Sequence, residues 1–156
     1  MVLLGNGDGT FATAMSFAAG NNPQSVSIAD LDGDGTSDLA VAGTFSNDVS
    51  VLLGVGDGTI ASASNFAAGV SPQSVSIADI DQDGTPDLAV ANSGTDDISV
   101  LLGNGDGTFA TALTFAAGDA PQSVSIADLD GDGAPDLSVA NAGTDNVSVL
   151  VNQILN

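Results

Sequence analysis

The sequence predicts an all-β protein, a β-propeller of four-stranded blades with about three blades in the chain. Three observations predict it. Blocks of sequence recur every 49 residues: "PQSVSIAD" begins at Pro23, Pro72 and Pro121, "GDGT" at Gly7, Gly56 and Gly105, and "FAAG" at Phe17, Phe66 and Phe115. A period near fifty is that of a propeller blade or a solenoid unit. Apolar residues alternate with period two, and no stretch carries the 3.6 period of a helix. Finally, one face of each alternation carries Val, Ile, Leu and Phe while the other carries mostly Ala and Ser. A solvated face would carry charges, so the pattern suits sheets stacked with both faces covered.

Each element follows from the repeat. The first strand is "SVSIAD" (Ser74–Asp79), where Ser and Ala alternate with Val and Ile. The second is "DLAVAN" (Asp87–Asn92) and the third the β-branched run "ISVLLG" (Ile98–Gly103). The fourth is "TALTFAA" (Thr111–Ala117), with Leu113 and Phe115 on one face. Between the last two, "GNGDGTF" holds Asn-Gly and Asp-Gly pairs that mark a tight hairpin. Residues 23–71 and 72–120 are then whole blades. Residues 1–22 carry the third and fourth strands of a split blade, and residues 121–156 carry the first to third strands of another. Phe17, Phe66 and Phe115 read as core, and Phe45, the one aromatic outside the period, as a local packing substitution.

Composition narrows the function. The chain has 156 residues, 43% of them hydrophobic, and a net charge of −20. All twenty acids are Asp, a residue of turns and metal loops rather than helices. With no Lys or Arg, attraction to nucleic acid and to anionic membranes is excluded. No run approaches a membrane span, so no membrane insertion is expected. The start "MVLLGNG" lacks the pattern of a signal peptide. Absence of Cys removes disulfide and thiolate chemistry. Without His, Cys, Lys, Tyr or Glu, the chain lacks the usual acids, bases and nucleophiles, and it reads as no enzyme.

The acids concentrate in three stretches, "DLDGDGTSD", "DIDQDGTPD" and "DLDGDGAPD", starting at Asp30, Asp79 and Asp128. Acids fall at loop positions one, three, five and nine: Asp30, Asp32, Asp34 and Asp38; Asp79, Asp81, Asp83 and Asp87; Asp128, Asp130, Asp132 and Asp136. Oxygen ligands in a tight glycine-bearing loop suit a hard cation such as Ca²⁺, about three per chain. Position seven, Thr36, Thr85 or Ala134, would offer its backbone carbonyl, which makes the threonine side chain dispensable. Gly35, Gly84 and Gly133 at position six allow the sharp turn. An EF-hand is rejected, because position twelve is Val41, Val90 or Val139 in a strand rather than Glu before a helix. Tandem nonapeptide calcium repeats fail too, since "GNGDGT" does not recur in tandem. As mere solvated turns, the carboxylates would repel one another without a cation among them. Asp8, Asp57 and Asp106 stand alone in hairpins and read as turn residues. "NVS" (Asn146–Ser148) is a glycosylation sequon at a strand start, where a structural use is expected.

The stretch "SVSIADLDGDGTSDLAVA" (Ser25–Ala42), its two copies, and the following "VSVLLG" and "GNGDGTF" resemble the FG-GAP/VCBS family of calcium-binding propeller blades, as in integrin-α-like propellers. The resemblance covers essentially the whole chain. Gln82 for a glycine and Ala134 for a threonine are its departures. It implies that each aspartate loop joins the first, inner strand of a blade to the second. It implies a non-catalytic, extracellular (secreted or cell-surface) structural or adhesion module, with a carbohydrate-binding propeller as the alternative. A protein or a glycan ligand suits either. The split blades at the two ends imply self-association: Thr13–Ala19 of one copy completes the blade of Ser123–Val151 in another, either in a six-blade homodimer ring or in a filament.

Overall fold

A computed structural model of the chain describes residues 1–153; residues 154–156, the last of the 121–156 unit, lie outside the described residues. Among the described residues there is no helix. The first sheet holds β1 (Pro23–Ala29), β2 (Asp38–Gly43), β3 (Asp48–Leu52) and β4 (Ser64–Ala67). The second holds β5 (Pro72–Ala78), β6 (Asp87–Asn92), β7 (Asp97–Leu101) and β8 (Leu113–Ala116), and the third β9 (Pro121–Ala127), β10 (Asp136–Asn141) and β11 (Asn146–Leu150). Each sheet is an antiparallel meander in chain order. Register keeps like with like: Val26 faces Val41 and Ile28 faces Leu39, as Val75 faces Val90 and Ile77 faces Leu88.

Two strand readings shift. The fourth strand shortens to Leu113–Ala116, because Gly103 and Phe109 meet in an isolated bridge that begins the "GNGDGTF" hairpin. At the N-terminus, the strands expected in Met1–Leu4 and Thr13–Ala19 form no ladder, only the bridges Val2–Met15 and Gly5–Phe11. A two-stranded ribbon with no further strand beside it is marginal on its own.

The sheets stack large face on small face. Ala40 and Ala42 of β2 share a buried cluster with Leu88 and Val90 of β6. One repeat later, Ala89 and Ala91 share the next cluster with Leu137 and Val139. Alanine leaves room for the branched side chains above it, and each buried Val, Leu or Ile contributes roughly 1.5–3 kcal/mol of transfer free energy. The inner strands are also joined directly. Ser27 Oγ donates to the Val75 carbonyl at 2.7 Å, and Ser76 Oγ to the Val124 carbonyl at 2.7 Å. In return the Val75 and Val124 N–H groups donate to Ser25 Oγ and Ser74 Oγ. The alternating serines of "SVSIAD" are thus the joint between sheets.

The connections between sheets carry a second clamp. Asn47 and Asp96, in the turns before β3 and β7, accept the Ser71 and Ala120 N–H groups. Ser71 and Ala120 precede the prolines that open β5 and β9, and both hold positive φ, 56° and 48°.

The aromatic reading needs correction. Phe66 is half-buried and meets Phe109 edge to face, with centroids 5.2 Å apart. Phe109, from the hairpin, is buried, whereas Phe115 is exposed. Phe109 reaches from the second sheet onto the first, and among the described residues no such hairpin covers the second sheet from the third. Phe45 fills no packing gap; it lies exposed on the turn between β2 and β3.

Candidate metal centres

Each aspartate stretch forms the connection from the first strand of a sheet to the second, β1 to β2, β5 to β6 and β9 to β10. The chain turns sharply there: Gly35, Gly84 and Gly133 hold φ of 86°, 95° and 94°, at positive values that glycine enters without strain.

Carboxylates at positions one, three and nine converge. Asp30, Asp32 and Asp38 each place an oxygen within 4.8 Å of the others, and so do Asp79, Asp81 and Asp87, and Asp128, Asp130 and Asp136. Position five is turned elsewhere. Asp34 Oδ1 accepts both the N–H and the hydroxyl of Thr36, and Asp83 Oδ1 those of Thr85. Asp132 receives only the N–H of Ala134, which is buried. The threonine side chains are therefore in use, since Thr36 and Thr85 also reach the Gly54 and Gly103 carbonyls.

Position nine does more than the sequence announces. Asp38 is fully buried, and its two oxygens accept the Leu31 and Gly54 N–H groups at 2.7 Å each. Asp87 repeats this with Ile80 and Gly103, and Asp136 with Leu129 and Asn152. Each ties the start of its loop to the second residue after the third strand. A buried carboxylate holding two backbone amides from separate segments is a structural fastener as well as a candidate ligand.

Position one differs among the loops. Asp30 accepts the Gly33 and Gly35 N–H groups, and Asp128 those of Gly131 and Gly133. In the second loop Gln82 stands where Gly33 and Gly131 do, and the matching bond is absent. Asp79 keeps the Gly84 bond on Oδ2, but its Oδ1 is buried with no partner. An unpartnered buried carboxylate oxygen is costly unless something positive meets it. An all-oxygen donor set with that orphan fits a hard divalent cation.

Electrostatics agree with crowding. On Asp32, the Asp34 N–H lowers the pKa, but desolvation and the charges of Asp34, Asp38 and Asp30 prevail and raise it. Asp87 is raised by burial, against the Gly103 and Ile80 amides, with Asp81 adding repulsion. Asp34 and Asp83 are lowered by their threonine hydroxyls and then by the threonine amides. Asp136 is lowered by the Leu129 and Asn152 amides.

The remaining acids behave as turn residues. Asp8, Asp57 and Asp106 each accept the N–H and hydroxyl of the threonine two residues on, and the hydroxyl bond leads in lowering their pKa values. Asn146 of the sequon is used internally, accepting Asn141 Nδ2 and Thr144 Oγ1.

A family model described as FG-GAP-like repeat matches residues 1–41, 30–90 and 79–139. No curated protein matches the chain. Among solved structures it is similar to part of the Tc holotoxin pore of Photorhabdus luminescens, at 20% identity and a TM-score of 0.52. That likeness covers 80% of this chain and 6% of the toxin chain, and it concerns the fold alone.

Proposed function

This chain belongs to the FG-GAP-like repeat family, and from that premise we propose a non-catalytic, calcium-stabilised module whose sheets serve as propeller blades in an extracellular structural or adhesion role. The observation that carries the calcium reading is the convergence of three carboxylates in each of the three loops, with Asp79 Oδ1 of the second loop buried and unpartnered. Positions one, three and nine of each loop would hold the ion and the position-seven carbonyl would add an oxygen, while position five, now engaged at position seven, would join by turning inward. Calcium would supply positive charge that relieves the repulsion within each loop. The chain's own contribution is to hold the loop closed, which the position-nine carboxylates do by fastening it to the end of the third strand. Low cytosolic calcium favours an extracellular setting, because modules of this kind bind at ~10⁻⁴–10⁻³ M.

Thermal unfolding in calcium, in magnesium and after EDTA tests the reading. At a calcium concentration about 100 times the dissociation constant, each site adds roughly 2.7 kcal/mol. The midpoint is expected to fall steeply in EDTA and to return with calcium rather than magnesium. An unchanged midpoint rejects calcium stabilisation.

Carbohydrate binding is a second reading, favoured by one observation: Phe45 offers an exposed ring on the turn before β3, beside Ser46 and Asn47. Exposed aromatic faces with polar neighbours suit sugar rings. A glycan array with wild-type chain and Phe45→Ala decides it, and equal signals from both reject it.

A further inference from the structure

We propose that the outward face of the β9–β11 sheet seats the β1–β2 face of a second copy of this chain, head to tail, through the same joint that stacks its own sheets. The argument is continuity. The joint occurs twice inside the chain with the same partners one repeat apart, Ser27 to Val75 and Ser76 to Val124. Its next donor is Ser125 of β9, and its next acceptor at the same step is the Val26 carbonyl of another copy. The reciprocal bond runs from the Val26 N–H to Ser123 Oγ, as from Val75 to Ser25 and from Val124 to Ser74.

The tail half lies open, and the head half is open along β1 but covered at Val41 of β2, beside the N-terminal segment. Val26 is 57% exposed, whereas Val75 and Val124 are 2% exposed. On the other end, Val147 and Val149 are 65% and 52% exposed, whereas Val49 and Val51 are almost wholly buried. Leu129 in the third loop is 52% exposed against 1% for Leu31. These side chains are apolar because the repeat is apolar at those positions, and covering them is what the internal stacking already does. Ala140 keeps the small seat for Leu39 and Val41 of the incoming copy; Ser138, in place of an alanine, adds one hydroxyl that its own sheet satisfies through Ser125.

The N-terminal hairpin must move aside for the incoming sheet, and a gap already separates part of it from the first sheet. A cavity of about 430 Å³ lies between the N-terminal hairpin and the first sheet, bordered by Val2, Phe17, Val26, Ile28 and Leu39. The free edge of β11 then pairs with Thr13–Ala19, displacing the Val2 segment, whose hold on Met15 is two hydrogen bonds. This exchange covers an open sheet edge. The inference rests on the stacking of the repeats and does not require calcium, although bound cations would reduce the repulsion between two chains of charge −20.

The test uses two blocked chains. Val26→Asp blocks the head and Ala140→Asp the tail, and both positions are exposed in the single chain. Light scattering at physiological salt is read in calcium and in EDTA. Wild type is expected at twice 15.1 kDa, or as a longer head-to-tail assembly, and each blocked chain alone at 15.1 kDa. Mixing the two is expected to give a one-to-one pair and nothing larger, because one good joint remains. Ser123→Ala with Ser125→Ala adds no charge and is expected to weaken association about tenfold. A wild-type monomer, a blocked chain that still associates alone, or a mixture that stays monomeric overturns the proposal. Association that persists in EDTA supports it and separates it from the calcium reading, which unfolding tests on its own.

Discussion

The side-chain amide of Gln82 donates to the Gly133 carbonyl at 2.7 Å, linking two aspartate loops that lie 51 residues apart in the chain. Gln82 holds φ of 62°, a conformation that costs a non-glycine residue about 1–2 kcal/mol. The same substitution leaves Asp79 Oδ1 without the amide that Asp30 and Asp128 receive. Gln82→Gly therefore trades one hydrogen bond between loops, worth about 1 kcal/mol, for relief of the backbone and a partner for Asp79. Calcium-free stability is expected to rise, by about 1 kcal/mol or more. Calcium affinity of the second loop is expected to fall up to about tenfold, because the free oxygen no longer waits for the ion. Calcium titration of the variant checks this, and an affinity that rises counts against it.

Two acids of the same loop should behave oppositely. Asp87→Ala strands the buried Ile80 amide, at a cost of about 1–3 kcal/mol, and the half-buried Gly103 amide, at a smaller one. That loss is expected with or without calcium. Asp79→Ala removes the unpartnered Oδ1 together with one bond from the exposed Gly84 N–H, and it is expected to change calcium-free stability little while weakening calcium binding. Denaturant unfolding of both variants in calcium and in EDTA separates them. A calcium-dependent loss in Asp87→Ala alone would reverse the two roles.

Thr85→Ala tests the hydroxyl bonds. A carbonyl ligand alone would make the substitution silent, but Thr85 Oγ1 joins Asp83 to the Gly103 carbonyl. A loss of about 1 kcal/mol is expected in calcium-free unfolding. No loss would mean that the carbonyl is the whole contribution.

The pH profile follows from the directions of the shifts. Asp87 is raised, so as pH climbs from the unfolded value, about 3.9, the folded state keeps its proton longer and stability falls; above the folded pKa the loss is complete. Asp8, Asp57 and Asp106 are lowered, so their contribution is present above the unfolded value and is lost as pH falls through the folded one. Calcium-free stability is expected to peak near the ordinary carboxylate pKa and to decline on both sides. Calcium, by favouring ionised Asp87, is expected to remove the decline toward neutral pH. Unfolding midpoints from acid to neutral pH check it; a calcium-free midpoint that climbs steadily to neutrality would contradict the shift on Asp87.

The sequence by itself determined the repeat, the strand order and the place of the aspartate loops. These rest on local rules: period-two alternation, Asn-Gly and Asp-Gly hairpin signals, and glycine where φ is positive. It also announced sheets covered on both faces, because Ala and Ser stand where a solvated face carries charge; the second sheet is so covered, whereas the first and third each leave apolar residues exposed. Only the tertiary structure decided how the faces meet. Ser27 reaches Val75 across 48 residues, and Phe109 rather than Phe115 enters the core because the neighbouring sheet, not the residue's own strand, covers it. The same holds in the loops. Spacing marks Asp38 as one acid of four, but its burial and its bonds to Leu31 and Gly54 depend on where the third strand ends. Asp79 Oδ1 is orphaned because the backbone N–H of Gln82 does not reach it as those of Gly33 and Gly131 reach Asp30 and Asp128. Satisfaction of a buried polar group is settled by neighbours distant in sequence, and no local pattern specifies which neighbour arrives.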